Sequence, residues 1–102
     1  MQPILKQHLP ELREICRRFH VRRLDLFGSA ARTDFDPQRS DIDVLVEFET
    51  GTPLKALDAY FGLKETLEEL LRRPVDVVMA GAVTNPYLRA AIERTREPLY
   101  AA

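Results

Sequence analysis

The chain has 102 residues, of which 45% are hydrophobic and 30% charged, and its formal net charge is −1. This length suffices for one small domain and is too short for two independent cores, so we expect a single domain over residues 1–102. The near-neutral charge gives no electrostatic basis for wrapping nucleic acid, and no direct nucleic-acid binding is expected. Because no apolar stretch could span a bilayer and the N-terminus lacks a signal-peptide core, we predict a cytoplasmic protein without membrane contact.

The first segment has the spacing of an amphipathic helix. Apolar residues recur at alternating intervals of four and three: Leu5, Leu9, Leu12, Cys16 and Phe19. Pro10 lacks an amide donor, so the helix either is kinked there or begins its continuous part near Leu9 or Pro10. The single cysteine, Cys16, is interpreted as a small buried core residue rather than a nucleophile.

Two strand patterns lie on either side of a polar segment. Val21 to Phe27 is predicted to be a strand that stops at Gly28 and Ser29, where the sequence is compatible with a turn into a short helix. Residues 33–40 are polar and contain a proline, so they are interpreted as a surface loop. Asp41 to Phe48 is predicted as the second strand.

A long helix is expected after the second strand. Thr52 is a candidate helix cap, with Pro53 at the first helical position. Six residues mark the apolar face: Leu57, Tyr60, Leu63, Leu67, Leu70 and Leu71. Pro74 is predicted to end this helix.

The last quarter of the chain predicts a strand and then a helix. Val75 to Met79 forms the strand, and Pro86 to Arg96 forms the helix, which carries Leu88, Ala91 and Ile92. Leu99 and Tyr100 are expected to dock as a tail, and three tyrosines are interpreted as packing residues: Tyr60, Tyr87 and Tyr100. Strands separated by helices predict an α/β (α+β) fold, a small mixed sheet of three or more strands covered by helices.

An Asp-x-Asp pattern opens the second predicted strand. Because successive side chains of a strand alternate between faces, Asp41 and Asp43 point to one side while Ile42 and Val44 point to the other. Two neighbouring carboxylates repel each other unless water or a cation compensates, and Mg²⁺ prefers oxygen ligands of this kind. Asp41 and Asp43 are therefore candidate metal ligands, although an isolated Asp-x-Asp is more often a pair of solvated strand-end residues.

The place of the Asp-x-Asp motif in the chain, one loop after Gly28 and Ser29, favours the metal-binding interpretation. Gly28 and Ser29 end the preceding strand, where glycine permits close backbone approach and a helix N-terminus offers amide hydrogens to a phosphate. Asp76 lies between Val75 and Val77, and it is interpreted either as a third metal ligand or as a solvent-facing or arginine-paired aspartate. Metal ions held by the three aspartates would bridge nucleotide phosphates and activate the attacking hydroxyl, with Asp76 as the general base.

These residues carry a family resemblance. The run Gly28-Ser29-Ala30-Ala31-Arg32, followed by Ser40-Asp41-Ile42-Asp43-Val44-Leu45, resembles the Gly-Ser and Asp-x-Asp signature of polymerase-β-type nucleotidyltransferases. The chain is most similar to the minimal nucleotidyltransferase (MNT) antitoxins. Arg73-Pro74-Val75-Asp76 and Asn85-Pro86-Tyr87-Leu88 also resemble that family, so the similarity extends over most of the chain.

The resemblance implies a particular reaction. Such antitoxins are Mg²⁺-dependent transferases that move AMP from ATP to a tyrosine of a cognate HEPN-domain toxin, an RNase, and silence it. By this resemblance Gly28 and Ser29 hold the triphosphate, and Asp41 and Asp43 ligate the metal ions. Asp76 completes the metal site and activates the tyrosine. Arg32 has two interpretations, a phosphate contact or a surface ion pair.

Two other functions remain open from the sequence. The protein could neutralise a toxin by binding alone, using apolar helical faces as the docking surface. It could instead transfer a nucleotide to a small molecule, although little chain is left to build an acceptor pocket. Four further acidic residues are weaker site candidates: Asp25, Asp34, Asp36 and Glu47.

Overall fold

A computed structural model describes residues 3–28 and 41–102 of the chain. Within these ranges the elements follow in the order α1 (Pro3–Gln7), α2 (Leu9–Arg18), β1 (Val21–Phe27), β2 (Ile42–Phe48), α3 (Ala56–Leu71), β3 (Val75–Met79), α4 (Pro86–Thr95) and β4 (Glu97–Ala101). The strands form one sheet in the order β3-β2-β1-β4. β2 and β3 run parallel, whereas β1 runs antiparallel to both β2 and β4. The predicted α+β fold with a mixed sheet covered by helices is confirmed.

The N-terminal segment forms two helices rather than one. α2 starts at Leu9, and Pro10 stands in its first turn, where its missing amide hydrogen leaves no helical bond unmade. Of the two alternatives left open by the sequence, the helix that begins near Leu9 is confirmed. None of the helices in the described ranges is both long and apolar enough to cross a membrane.

Helices cover both faces of the sheet, and each face buries a different set of side chains. One face packs against α1, α2 and α3 through a large core that includes Leu12, Leu24, Leu26, Ile42, Val44, Leu63, Leu67 and Val77. The opposite face packs against α4 through a smaller cluster of Phe27, Leu45, Val83 and Ile92. Because strand residues alternate between faces, the polar residues of β2 and β3 share the α4 face with this second cluster.

The start of α3 differs from the prediction. The helix begins at Ala56 with Lys55 at the N-cap position, and the Thr52 hydroxyl instead donates to the Leu54 carbonyl at 3.3 Å. The predicted cap at Thr52 and Pro53 is therefore wrong. The buried stripe of α3 runs through Ala59, Leu63, Leu67 and Leu71. Leu57 lies off this stripe and is 70% exposed, because the helical repeat puts Ala59 rather than Leu57 on the buried side of the helix.

The C-terminal tail is a strand that was not predicted. β4 pairs antiparallel with β1 and carries Pro98, which the sheet accommodates because β4 is an edge strand. Tyr60 and Tyr100 pack against the larger core, as predicted. Tyr87 is 85% exposed, so its interpretation as a packing residue is wrong. It stands in the first turn of α4, one turn before the helix makes its buried contact through Ile92.

Candidate functional site

The candidate residues meet at one end of the sheet. β1 runs antiparallel to β2, and β3 runs parallel to β2, so the last residues of β1 and the first residues of β2 and β3 lie at the same end of the sheet. Phe27 is the register partner of Asp43, and Asp43 is the register partner of Asp76. Strand pairing therefore brings Gly28, Asp43 and Asp76 to the same end of the sheet.

Asp43 and Asp76 stand side by side on the α4 face. Residues opposite each other on neighbouring strands point to the same face, and the strands are about 4.8 Å apart. Asp43 is partly buried, whereas Asp76 is exposed, which corresponds to the solvent-facing alternative for its side chain. Asp41 is also exposed and directly precedes β2. The amide of Ile42 donates to the Pro74 carbonyl at 3.2 Å, which holds the chain after Asp41 beside the start of β3.

Gly28 ends β1 in a conformation that only glycine adopts easily. Its φ is +73°, in the left-handed region. A Cβ at this position would stand 2.6 Å from Oδ2 of Asp43, so the missing side chain makes room for that carboxylate. The Gly28 amide donates to Oγ1 of Thr95 at 3.0 Å. Ser29 and Arg32, the other predicted nucleotide-binding residues, lie outside the described residues, as do Asp34 and Asp36.

The carboxylate pair suits a magnesium ion that arrives with a nucleotide. Within residues 3–28 and 41–102, no three His, Cys, Asp or Glu side chains are grouped closely enough to hold a metal by themselves. Mg²⁺, however, keeps several waters and is usually bound by one or two carboxylates together with substrate phosphates. The donor set of Asp43 and Asp76, with Asp41 at the same strand end, fits this second arrangement. Their roles as ligands stay predictions.

A buried ion pair joins the C-terminal end of α4 to β1. Asp25 of β1 is fully buried, and its carboxylate accepts a hydrogen bond from Nε of Arg96. Nε of Arg23 lies 3.0 Å from the same carboxylate, and Arg96 also donates to Glu93 at 3.0 Å. The hydrogen bond with Asp25 raises the pKa of Arg96. Asp25, a weaker site candidate, therefore has a structural position between two arginines.

A second attachment holds the start of β3. The Lys64 ammonium donates to the Val75 carbonyl at 2.6 Å, and the Val75 amide donates to Oε2 of Glu68 at 3.0 Å. β3 is an edge strand, so these side chains of α3 occupy the place that a further strand would take. They fix the residue directly before Asp76. An i, i+4 Lys-Glu pair is common on helix surfaces, so the sequence contained no signal for this contact.

A cavity of about 200 Å³ opens between α4 and the sheet on the same face. It is lined by Leu45, Ala80, Val83, Arg89, Ile92, Glu93 and Arg96. Leu45 stands two residues after Asp43 on β2, so the cavity begins close to the carboxylate pair. Its guanidinium groups are engaged within the protein, since Arg89 donates to the Val83 carbonyl at 2.8 Å and Arg96 pairs with Asp25. The last weaker candidate, Glu47, forms an ion pair with Arg22 at 3.4 Å.

Comparison with known proteins identifies the class. A family model described as the nucleotidyltransferase domain matches residues 9–99, and the chain belongs to that family. A protein of Methanocaldococcus jannaschii, which its name assigns as a protein adenylyltransferase, is 40% identical over 94 residues. The match covers 91% of this chain and 88% of the relative. The resemblance based on the Gly-Ser and Asp-x-Asp motifs is thereby confirmed at the level of the family.

Solved structures share the fold. A structure described as a minimal nucleotidyltransferase has a TM-score of 0.75 and 34% identity, and the match covers 92% of this chain and 91% of that chain. A chain from the complex of tri-AMPylated Shewanella oneidensis HEPN toxin with MNT antitoxin has a TM-score of 0.65 and 19% identity. That match covers 96% of this chain and 73% of the other. At such low identity it shows the fold alone.

Proposed function

We propose that this protein transfers AMP from ATP to a tyrosine of a cognate HEPN-domain RNase toxin and thereby acts as the antitoxin. The observation that carries the proposal is the register pair of Asp43 and Asp76 beside Gly28, two carboxylates at the strand end where β1 stops. The protein adenylyltransferase name of the 40% identical relative supports AMP transfer to a protein. The toxin–antitoxin complex among the structures of the same fold supports the class of partner.

In the proposed reaction the tyrosine oxygen attacks the α-phosphorus of ATP. A new oxygen–phosphorus bond forms, the bond from the α-phosphorus to the oxygen of the leaving pyrophosphate breaks, and pyrophosphate departs with that electron pair. Asp76, which is exposed at the site, takes the proton of the tyrosine hydroxyl. Proton removal and in-line positioning are the contributions that side chains can make to a transfer of this type.

The remaining predicted residues hold the nucleotide and its metal. Asp41, Asp43 and Asp76 would hold Mg²⁺, which when bound neutralises phosphate charge and stabilises the leaving group. Gly28 and Ser29 are proposed to hold the triphosphate, and Arg32 to contact a phosphate. The Gly28 amide is engaged by Thr95, so we propose that Gly28 contributes to holding the triphosphate through its lack of a side chain, which permits close approach to the backbone. We propose a hetero-oligomer with the toxin, formed in the cytoplasm where ATP is available.

The direct test is the intact mass of the partner toxin after incubation with this protein, ATP and Mg²⁺. We expect the toxin to gain the mass of one or more AMP groups, and the gain to disappear when EDTA replaces Mg²⁺. The double variant Asp41→Asn, Asp43→Asn should abolish transfer while its circular dichroism spectrum stays that of the parent. A toxin that never gains AMP over a range of nucleotide, metal and pH conditions would reject the proposal.

One observation favours neutralisation by binding alone. Leu57 and Phe61, one turn apart on α3, are 70% and 52% exposed, so this helix presents apolar surface that a partner could cover. The two functions are distinguished in cells that express the toxin. If the Asp41→Asn, Asp43→Asn variant protects these cells as well as the parent does, then binding is sufficient. Loss of protection, with the complex still forming, favours AMP transfer.

A further inference from the structure

The last turn of α4 is hydrogen-bonded to Gly28, the residue that directly follows β1. The Gly28 amide donates to Oγ1 of Thr95 at 3.0 Å, across 67 residues of sequence. The Thr95 hydroxyl in turn donates to the Ala91 carbonyl at 3.0 Å. A hydroxyl has a single proton, and Ala91 receives it, so the oxygen faces Gly28 as an acceptor. Both hydrogen bonds of Thr95 therefore have a defined direction.

The hydrogen bond between Thr95 and Gly28 lies next to the candidate site, because Gly28 borders Asp43. A Cβ on Gly28 would stand 2.6 Å from Oδ2 of Asp43, so the Gly28 backbone borders the space that this carboxylate occupies. The other end of the contact is also held, because Arg96, next to Thr95, bonds the buried Asp25. A displacement of Gly28 would therefore move the surroundings of Asp43, whereas Thr95 itself is fixed by α4.

We propose that Thr95 is a positioning residue of the nucleotidyl-transfer site, which it serves by fixing the Gly28 backbone against Asp43. This inference rests on the proposed function. Thr95 acts through Gly28 and needs no contact with the nucleotide. Misplacement of reacting groups by about 1 Å can lower a rate by roughly 100-fold, so a single hydrogen bond to Gly28 is enough to affect turnover.

A purely structural role for Thr95 makes a different prediction. Ser and Thr side chains often bond the carbonyl four residues earlier in a helix, and Thr66 of α3 does so with Gly62 at 2.6 Å. Thr66 borders a groove between α2 and α3, on the side of the sheet away from the aspartate pair. Thr66→Val is therefore a matched control that removes the same helical bond without affecting Gly28.

The experiment compares Thr95→Val, Thr95→Ser and Thr66→Val with the parent chain. In AMP transfer to the toxin, we expect Thr95→Val to lower kcat by about 10-fold or more with little change in KM for the toxin. Thr95→Ser should stay within about threefold of the parent, because serine keeps the oxygen. Thr66→Val should match the parent. By NMR, the Gly28 amide should exchange slowly in the parent and in Thr95→Ser, and about 10-fold faster in Thr95→Val.

Several outcomes would overturn the proposal. Equal losses of activity in Thr95→Val and Thr66→Val would mean that the effect is structural. A rapidly exchanging Gly28 amide in the parent would contradict the hydrogen bond, even if Thr95→Val failed to fold. If the parent transfers no AMP, the proposed function fails. Whether Thr95 positions the Asp43 carboxylate is then tested by the carboxyl chemical shift of Asp43 in the Thr95 variants. A shift that differs between Thr95→Val and Thr95→Ser would support positioning, and identical shifts would reject it.

Discussion

Asp43 and Asp76 are register partners on two adjacent parallel strands, and both project from the face that α4 covers. Like charges directly opposite each other destabilise a sheet by about 0.2–1 kcal/mol. We therefore expect Asp76→Asn to leave the metal-free protein as stable as the parent or about 0.5 kcal/mol more stable. The same variant should lose most of the increase in Tm that ATP with Mg²⁺ produces in the parent, since binding to the native state raises Tm.

The control for this prediction is Glu65→Gln, which removes one negative charge from an exposed position of α3. Thermal melts of the parent and both variants, with EDTA and with Mg²⁺ and ATP, give the comparison. A full nucleotide-dependent increase in Tm for Asp76→Asn would contradict the metal-binding role of Asp76.

The buried carboxylate of Asp25 depends on Arg96. Breaking a buried pair usually costs about 3–5 kcal/mol. Arg23 still lies beside Asp25 when Arg96 is removed, and Arg96 is partly exposed, so we expect Arg96→Met to lower the free energy of unfolding by less than this, about 2 kcal/mol. Urea denaturation measures the loss. The exposed pair of Arg22 and Glu47 is the control, and Arg22→Met should change stability by less than about 1 kcal/mol. Similar losses in the two variants would contradict the structural role of Asp25.

Gly28 and Gly51 allow backbone strain to be separated from contact with Asp43. Their φ angles are +73° and +70°, but a Cβ on Gly51 would meet nothing within 4 Å, whereas one on Gly28 would meet Asp43. Both alanine variants should lose about 1–2 kcal/mol of stability from the left-handed conformation. Only Gly28→Ala should also lose AMP transfer, by about 10-fold or more, because the added methyl group displaces the carboxylate. Parental turnover by Gly28→Ala would show that the position of this carboxylate is not critical.

The contact of Lys64 and Glu68 with Val75 predicts a local effect at β3. Glu68→Ala leaves the Val75 amide without its acceptor, so we expect a loss of about 1–2 kcal/mol and faster hydrogen exchange at Val75. Glu65→Ala, on the exposed side of the same helix, should leave this amide unchanged. Unchanged exchange at Val75 in Glu68→Ala would mean that the strand end is held by other contacts.

Cys16 should be inert in the native protein. Burial raises the pKa of its thiol from 9.0 to about 12, so the native state holds the proton where the unfolded chain releases it. The corresponding stability is present below about pH 9 and is lost as pH rises from there toward about 12. At pH 8, a thiol reagent should label the native protein slowly and the urea-unfolded protein rapidly. Fast labelling of the native protein would contradict the burial of Cys16.

Periodic patterns in the sequence predicted most of the elements. Apolar alternation identified β1, β2 and β3, and helical spacing identified α2, α3 and α4. Prediction failed where the pattern is interrupted: β4 contains Pro98 and is only five residues long, and the start of α3 lacks a side-chain cap. Short edge strands are stabilised by their partner strand, and β1 cannot be recognised as that partner from the residues of β4.

The sequence by itself determined the family and the chemical character of the candidate site. The alternation that puts Asp41 and Asp43 on one face, the glycine at the end of β1 and the Asp-x-Asp motif are local features, so a single segment contains each of them. Only the tertiary structure decided which strand lies beside β2, and hence that Asp76 is the neighbour of Asp43. It also decided that Thr95 bonds Gly28 and that Arg96 reaches Asp25. These contacts join residues far apart in the chain, and they arise because both faces of the sheet must be covered by helices, which no local pattern records.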